Sequence, residues 1–329
     1  MGRGRLIVFA NRSGEYFANK LINELNKLRP EENLESGKIE TMNFSNEESK
    51  VTIKETVRGA DVYLVQSCYD PLSTRSINDN FFEMCCTIDA LKRAGARYVT
   101  LVMPFHPYLR QDKMSEREPI TARLAVEFIK VAGADAVITA DMHTKQIEGF
   151  YHKVTSDNLT SQILFCKYIK ERNQLESYVV LAPDAGATRT ADEFAEMLKL
   201  DRVQVSKHRN YSIPNCVDEI TLVGSVKNKN VLIFDDMIDT AGTIKKIIDE
   251  IKSKGAQKIT ICATHGLLTG PAIERLKDID GEIIITDTIY RGPNFTKENP
   301  EYKIISIAPI FANAIDNLNK DSSVSKVYH

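Results

Sequence analysis

The sequence predicts an α/β protein of two similar domains, each a mostly parallel β-sheet flanked by helices. Three observations carry that prediction. Short apolar, β-rich runs alternate with amphipathic runs along most of the chain, the pattern of a sheet covered on both faces. One unit occurs twice: ADVYLVQSCYDP parallels KNVLIFDDMIDT, and ALKRAGARYVTLVMP parallels EIKSKGAQKITICAT, matching Gly95 with Gly255 and Thr100 with Thr260. Finally, 329 residues, 43% of them hydrophobic, suffice for two separate cores. The expected domains are residues 1–155 and 156–329.

In chain order, strands are expected at Leu6–Ala10, Val62–Gln66, Tyr98–Met103, Ala136–Ala140, Val179–Ala182, Val231–Phe234, Lys258–Ala263 and Glu282–Thr286, each a short β-rich run. Amphipathic spacing predicts helices at Phe81–Ala94, Ala122–Ala132 and Asp192–Leu200, and another after Thr243, reading IKKIIDEIKSKG. A net charge of −2 argues against a general nucleic-acid binder. The six cysteines lack C-x-x-C spacing and mostly sit in apolar runs, which reads as reduced thiols. The first apolar run is too short for a signal peptide, and no window is long enough to span a membrane. A cytoplasmic protein with neither membrane nor nucleic acid as partner is expected.

The most informative stretch is Val231 to Thr243, VLIFDDMIDTAGT. An apolar strand runs into Asp235 and Asp236. Then come Asp239, Thr240, Ala241, Gly242 and Thr243, and a helix. Ligands bind at the carboxyl edge of such sheets, and N–H groups of a small-residue loop at a helix start hold phosphate. The paired acids reach what lies beside the phosphate, sugar hydroxyls or a metal ion. This combination points to a ribose phosphate.

The string resembles the phosphoribosyl-diphosphate motif of the type I phosphoribosyltransferase fold. From about Phe44 to the C-terminus the chain resembles the ribose-phosphate diphosphokinase (phosphoribosyl pyrophosphate synthetase) family. That resemblance implies two fused domains of one fold, with the last stretch packing back on the first domain. It implies pyrophosphoryl transfer from ATP to ribose 5-phosphate with Mg²⁺, and self-association as a homodimer or homohexamer.

Further motifs receive roles from the resemblance. In MPFHPYLRQDKMSEREP, a charged surface segment, it puts Arg110, Gln111 and Asp112 on ATP; this loop is one residue shorter than the common bacterial pattern and less basic. In ITADMHTKQ, an acid and a histidine end a strand, and His143 is assigned to the Mg²⁺–ATP site. In VVLAPDAGAT, a second small-residue loop opens a helix. Asp184, Ala185, Gly186 and Ala187 match the pyrophosphate loop, with Asp184 metal-associated and Gly186-Ala187 standing where two glycines are frequent. Lys207 and Arg209 read as two surface cations by residue type alone; the resemblance makes them catalytic. Phe44, Asn46 and Glu48 align with a segment that meets adenine across a subunit interface, although Asn46 replaces Asp and Glu47 replaces Gly.

Overall fold

The computed structural model describes residues 2–172, 175–184, 186–208 and 219–325. The chain divides into two compact units. The described residues among 1–160, 287–292 and 306–329 form unit 1, and those among 161–286 and 293–305 form unit 2.

Unit 1 begins with β1 (Leu6–Ala10) and α1 (Glu15–Leu28). A hairpin follows, β2 (Ile39–Asn43) and β3 (Ser49–Ile53). Next come β4 (Asp61–Val65), α2 (Ile77–Arg93), β5 (Tyr98–Met103), α3 (Thr121–Ala132), β6 (Ala136–Ala140) and β7 (Thr155–Leu159). The main sheet has the order β1-β4-β5-β6-β7, all parallel. Strands β1, β4 and β6 are buried at every position, because helices cover both faces and leave no side for polar residues. The expected helix at Phe81 starts earlier, at Ile77. Ser76 and Asp79 cap it reciprocally: the Ser76 hydroxyl accepts from the Asp79 N–H, and the Asp79 carboxylate accepts from the Ser76 N–H.

Unit 2 comprises α4 (Gln162–Arg172), β8 (Tyr178–Ala182), α5 (Thr188–Leu198), β9 (Asp201–His208), β10 (Glu219–Val223), β11 (Asn230–Ile238), α6 (Gly242–Ser253), β12 (Ile259–Gly266), α7 (Ala272–Leu276), β13 (Gly281–Thr286), α8 (Phe295–Glu298) and β14 (Tyr302–Ile305). Its sheet runs β10-β9-β8-β11-β12-β13-β14, with only the β10–β9 pair antiparallel.

The internal repeat is a repeat of structure. Gly95 and Gly255 both follow a helix, α2 and α6, with φ of +90° and +87°. Each N–H bonds back into its helix, to Lys92 and Lys252, and the next residue bonds to Leu91 and Ile251. That double bond closes a helix end on a left-handed residue, where glycine avoids the Cβ penalty. Each glycine carbonyl also accepts from the turn before the preceding strand, at Gly59 and Asn228. In register, Val62 pairs with Val99 as Val231 pairs with Ile259.

One expectation needs correction. The strand expected to end at Phe234 continues to Ile238, so Asp235 and Asp236 lie within β11 and not in a loop. Their neighbours explain this. Pairing with β8 stops at Ile233–Leu181, whereas pairing with β12 continues through Asp235–Ala263 to Ile238–Gly266. Among the described residues, strand pairing thus holds β11 at the acids on its β12 flank and not on its β8 flank.

Residues 306–325 return to unit 1 as α9 (Ala308–Asn319) beside α1, where the Phe17 and Phe311 rings meet edge to face at 5.3 Å.

Candidate active site

In unit 2 the site grows from the end of β11. The Asp235 carboxylate accepts the Asp236 N–H at 2.9 Å. Desolvation pushes the Asp235 carboxyl well above the usual carboxylate range, and the neighbouring Asp236 and then Asp184 push it further. Three acids thus bear on one small volume. Hard oxygen donors whose charges oppose one another suit a divalent cation, which relieves that repulsion. Among the described residues, no group of three or more His, Cys, Asp or Glu side chains forms a preformed metal cage. His143 and Asp184, the pair expected at the metal, belong to different units.

Asp184 follows β8 and is tied into its own loop. Its carboxylate accepts the Ala187 N–H at 2.9 Å, and a Cβ on Gly186 would lie 3.2 Å from it. A larger residue at 186 would push on that carboxylate. Ala187 has φ −80°, so alanine serves here in place of a second glycine without strain. The loop leads straight into α5, which starts four residues before the expected Asp192. Ala185 lies outside the described residues.

The segment Asp239–Thr243 is braced from a distance. The Leu268 N–H donates to the Ile238 carbonyl and the Thr269 N–H to the Asp239 carbonyl. The Thr269 hydroxyl donates to the Asp239 carboxylate, and Arg275 Nη1 donates to the Thr240 carbonyl at 2.8 Å. Ala241 adopts the left-handed conformation, φ +59°, and turns the chain into α6 at Gly242. Ala241, the N-cap residue, makes no side-chain cap bond at this helix start. The first backbone N–H groups of α6 therefore face outward from the positive end of the helix dipole, an arrangement that receives anions. Thr269 and Arg275 were not foreseen. Arg275 reaches the loop from 35 residues further on, a separation that local pattern does not reveal.

Lys207 lies on β9, its backbone opposite Ile220 of β10. Arg209 lies outside the described residues.

In unit 1, Tyr108 (φ +68°) reverses the chain after β5 and leads into Arg110 and Gln111, both exposed. Gln111 is held through its N–H to the Tyr108 carbonyl, its own carbonyl to the Ala122 N–H, and its side-chain oxygen, which accepts from Thr121 at 2.7 Å. Asp112 accepts from the Thr144 hydroxyl at 2.9 Å, next to exposed His143. On the His143 side, Asp141 takes φ +36° and the Met142 N–H donates to the Asn158 side chain. One bond, Thr144 to Asp112, thus draws Arg110, Gln111, Asp112 and His143 into one neighbourhood.

Phe44, Asn46 and Glu48 lie in the turn at the tip of the β2–β3 hairpin. The Phe44 N–H donates to the Glu48 carbonyl, and the Glu47 N–H to that of Phe44. Glu47 keeps φ +71°, so the turn retains a backbone that favours glycine. The Asn46 side-chain oxygen accepts from the Glu48 N–H at 3.3 Å, so its NH₂ is the group it offers outward. Phe44 is 48% exposed. A depression of about 410 Å³ opens beside the turn between Glu47–Ser49 and Asn78, Asp79 and Phe82.

Residues 6–133 match the family model for the N-terminal domain of ribose phosphate pyrophosphokinase. Residues 201–329 match that of the phosphoribosyl synthetase-associated domain. A ribose-phosphate pyrophosphokinase of Fusobacterium nucleatum is 38% identical over 306 residues, covering 92% of this chain and 94% of its own. One of Mycobacterium leprae is 36% identical over 329 residues, covering 99% and 96%. The crystal structure of phosphoribosylpyrophosphate synthetase from Mycobacterium smegmatis matches with a TM-score of 0.86 at 35% identity, covering 97% of this chain and all of that one.

Proposed function

The chain belongs to the ribose-phosphate pyrophosphokinase family, and from that premise we propose how its own residues divide the work of making 5-phosphoribosyl 1-diphosphate from ribose 5-phosphate and ATP. The observation that carries the proposal is the continuity of β11, loop and α6. One strand delivers Asp235 and Asp236 beside a helix start whose N-cap residue, Ala241, makes no side-chain cap bond. The 5-phosphate sits on the N–H groups of Asp239–Thr243. Asp235 and Asp236 fix the ring hydroxyls, directly or through a cation. The Asp184 loop receives the diphosphate.

ATP is bound by Arg110, Gln111, Asp112 and His143, and its adenine by Phe44, Asn46 and Glu48 of a neighbouring copy. The arginine fork suits a phosphate or a base face. Self-association, as a dimer or hexamer, follows from that shared adenine site. When bound, Mg²⁺ would offset the negative charge of the phosphates. Asp184, Asp235 and Asp236 supply oxygen donors suited to it, with His143 on the nucleotide side. The anomeric hydroxyl gives up its proton to solvent and forms a bond to the β-phosphorus of ATP. The bond from that phosphorus to the α–β bridging oxygen breaks, and AMP leaves. Lys207 and Arg209 neutralise charge on the group in flight. Among the described residues no helix is long and apolar enough to cross a membrane, and five cysteines are free thiols. A cytoplasmic setting agrees with those thiols.

Incubation of the protein with ribose 5-phosphate, ATP and Mg²⁺, followed by chromatography, tests the reading. AMP and 5-phosphoribosyl 1-diphosphate are expected in equal amounts, and Lys207→Ala is expected to lower kcat by roughly 10²–10³-fold with the fold intact. Near-full activity of Lys207→Ala would remove that residue from the mechanism. Binding of both substrates without turnover would point to a silent relative.

A further inference from the structure

Glu83 is fully buried in α2, where carboxylates are seldom placed without a purpose. Two arginines pair with it: Arg75 at 2.9 Å and Arg12 at 3.4 Å. Both arginines extend beyond the carboxylate to the hairpin. Arg12 Nη2 donates to the Asn43 side-chain oxygen at 2.9 Å, and its Nε donates to Thr41 at 2.8 Å. Arg75 donates to the same Asn43 oxygen at 3.3 Å and to the Ser49 hydroxyl at 3.4 Å. Asn43 and Ser49 are the last paired residues of the hairpin. Arg75 therefore grips both sides of the mouth of the Phe44–Glu48 turn, and Arg12 reinforces one side.

A two-stranded hairpin is marginal by itself, and its tip is free to swing unless its base is tied to something rigid. Here the base is tied to a buried charge on a capped helix. The two guanidiniums are held by an anion that burial keeps in place, so their planar forks reach Asn43 with little freedom left to lose. The exposed Phe44 ring is one residue from that anchor.

We propose that Arg75 and Arg12, joined through Glu83, are positioning residues for nucleotide binding, acting through Asn43 to hold the Phe44–Glu48 turn in its adenine-reading geometry. The proposal rests on the reading of that turn as an adenine contact. It predicts that cutting the link at Asn43 weakens ATP binding without touching ribose 5-phosphate.

Asn43 is the place to test it, because its loss leaves both arginines paired with Glu83 and no buried charge stranded. KM for ATP and for ribose 5-phosphate is measured separately in the full-length chain for Asn43→Ala, Asn43→Asp, Arg75→Lys and Phe44→Ala, alongside thermal unfolding. Asn43→Ala is expected to raise KM for ATP about tenfold, in line with losing preorganisation at a contact. KM for ribose 5-phosphate and the Tm should stay near wild type. Asn43→Asp keeps an acceptor oxygen and should recover most of the loss; Arg75→Lys, which keeps charge but not the fork, should not. If Phe44→Ala raises KM for ATP while Asn43→Ala does not, the clasp is overturned and the turn's role stands. If Phe44→Ala leaves KM for ATP unchanged, the adenine reading falls and takes the clasp with it. A rise in both KM values with a lowered Tm would make the clasp merely structural and overturn the proposal.

Discussion

Glu47 shows how a residue can depart from a family pattern without departing from its geometry. Its φ of +71° costs a non-glycine residue about 1–2 kcal/mol, and the hairpin pairing below it imposes that cost. Glu47→Gly removes the strain but returns about 0.5–1 kcal/mol of backbone entropy to the unfolded chain. A net gain of roughly 0.5 kcal/mol follows, read as a higher urea midpoint. A lower midpoint would contradict the strain. The substitution itself was plain in the sequence; the sign of φ was not, because strand pairing on both sides sets it. His106 is the converse case, a buried polar residue within an apolar run. Its ring Nδ1 lies 2.8 Å from the Pro107 carbonyl, which places the proton of the neutral ring there. Desolvation lowers its pKa from 6.5 to about 4. Between those values the unfolded chain binds the proton and the folded one resists it, so stability falls as pH drops from 6.5 towards 4. At pH 5 the loss relative to pH 7.5 is roughly 2 kcal/mol. His106→Phe should flatten that part of the stability–pH curve in denaturant titrations at the two pH values; an unchanged slope would assign the acid loss elsewhere.

At the scale of elements, the long apolar runs were legible because burial on both faces demands them. The strands at Leu6, Tyr98 and Ala136 match their expected bounds. Elements held by position more than by composition were not legible. Strand β7 reads TSDNL, and it is a strand because Ala136–Ala140 offers it an edge. Strand β14 has four residues and owes its place to β13. The β2–β3 pair is half exposed and largely polar, and besides Ile39 and Ile53, which pack on the core of unit 1, Arg12 and Arg75 support it from elsewhere in the fold. Of the ribose-phosphate loop, the order strand, acids, small residues and helix was visible; its bracing by α7 was not. That bracing makes a prediction of its own. Arg275 Nη1 would stand 3.3 Å from a Cβ at Gly242, so the guanidinium lies against the loop at the start of α6. Arg275→Ala releases the Thr240 carbonyl and removes a positive charge from beside the proposed phosphate. The loss of one such charge-assisted bond, about 1.5–3 kcal/mol, should raise KM for ribose 5-phosphate tenfold or more. KM for ATP should hold. An equal rise in both would show that Arg275 braces the fold at large and not the phosphate loop.

At the scale of the whole molecule, unit 1 is closed by the end of the chain. Helix α9 returns to α1 through Phe311, and a buried polar network fixes its register. Arg29 donates to Asp316 at 2.6 Å and to the Asn319 side-chain oxygen at 2.9 Å. The Asn319 amide in turn donates to the Asp61 carboxylate at 2.9 Å, which also accepts from the Tyr63 hydroxyl. Sequence pattern could not announce this, since the partners are up to 290 residues apart. Burial raises the Asp61 carboxyl above 3.8, and the bonds from Asn319 and Tyr63 restrain that rise. Asn319→Ala removes one restraint and leaves a buried carboxylate with less compensation, at a cost of roughly 2–3 kcal/mol at pH 7. For a unit of this size that lowers Tm by about 4–12 °C. The sign of its pH dependence is fixed. Asp61 has a raised folded pKa, so the unfolded state ionises first and stability is lost as pH climbs from about 4 through the folded value. Without Asn319 the folded pKa rises further and the loss deepens. The penalty of Asn319→Ala should therefore be largest at pH 7 and shrink as pH falls below the folded value, where folded Asp61 is protonated with or without Asn319. Introducing Asp61→Asn into the same chain should make the penalty nearly independent of pH. Thermal unfolding of the two single variants and the double variant at pH 4.5 and 7 measures both effects. A penalty equal at the two pH values in the Asn319→Ala single variant would mean that Asn319 acts through Arg29 and packing, and not through the buried acid.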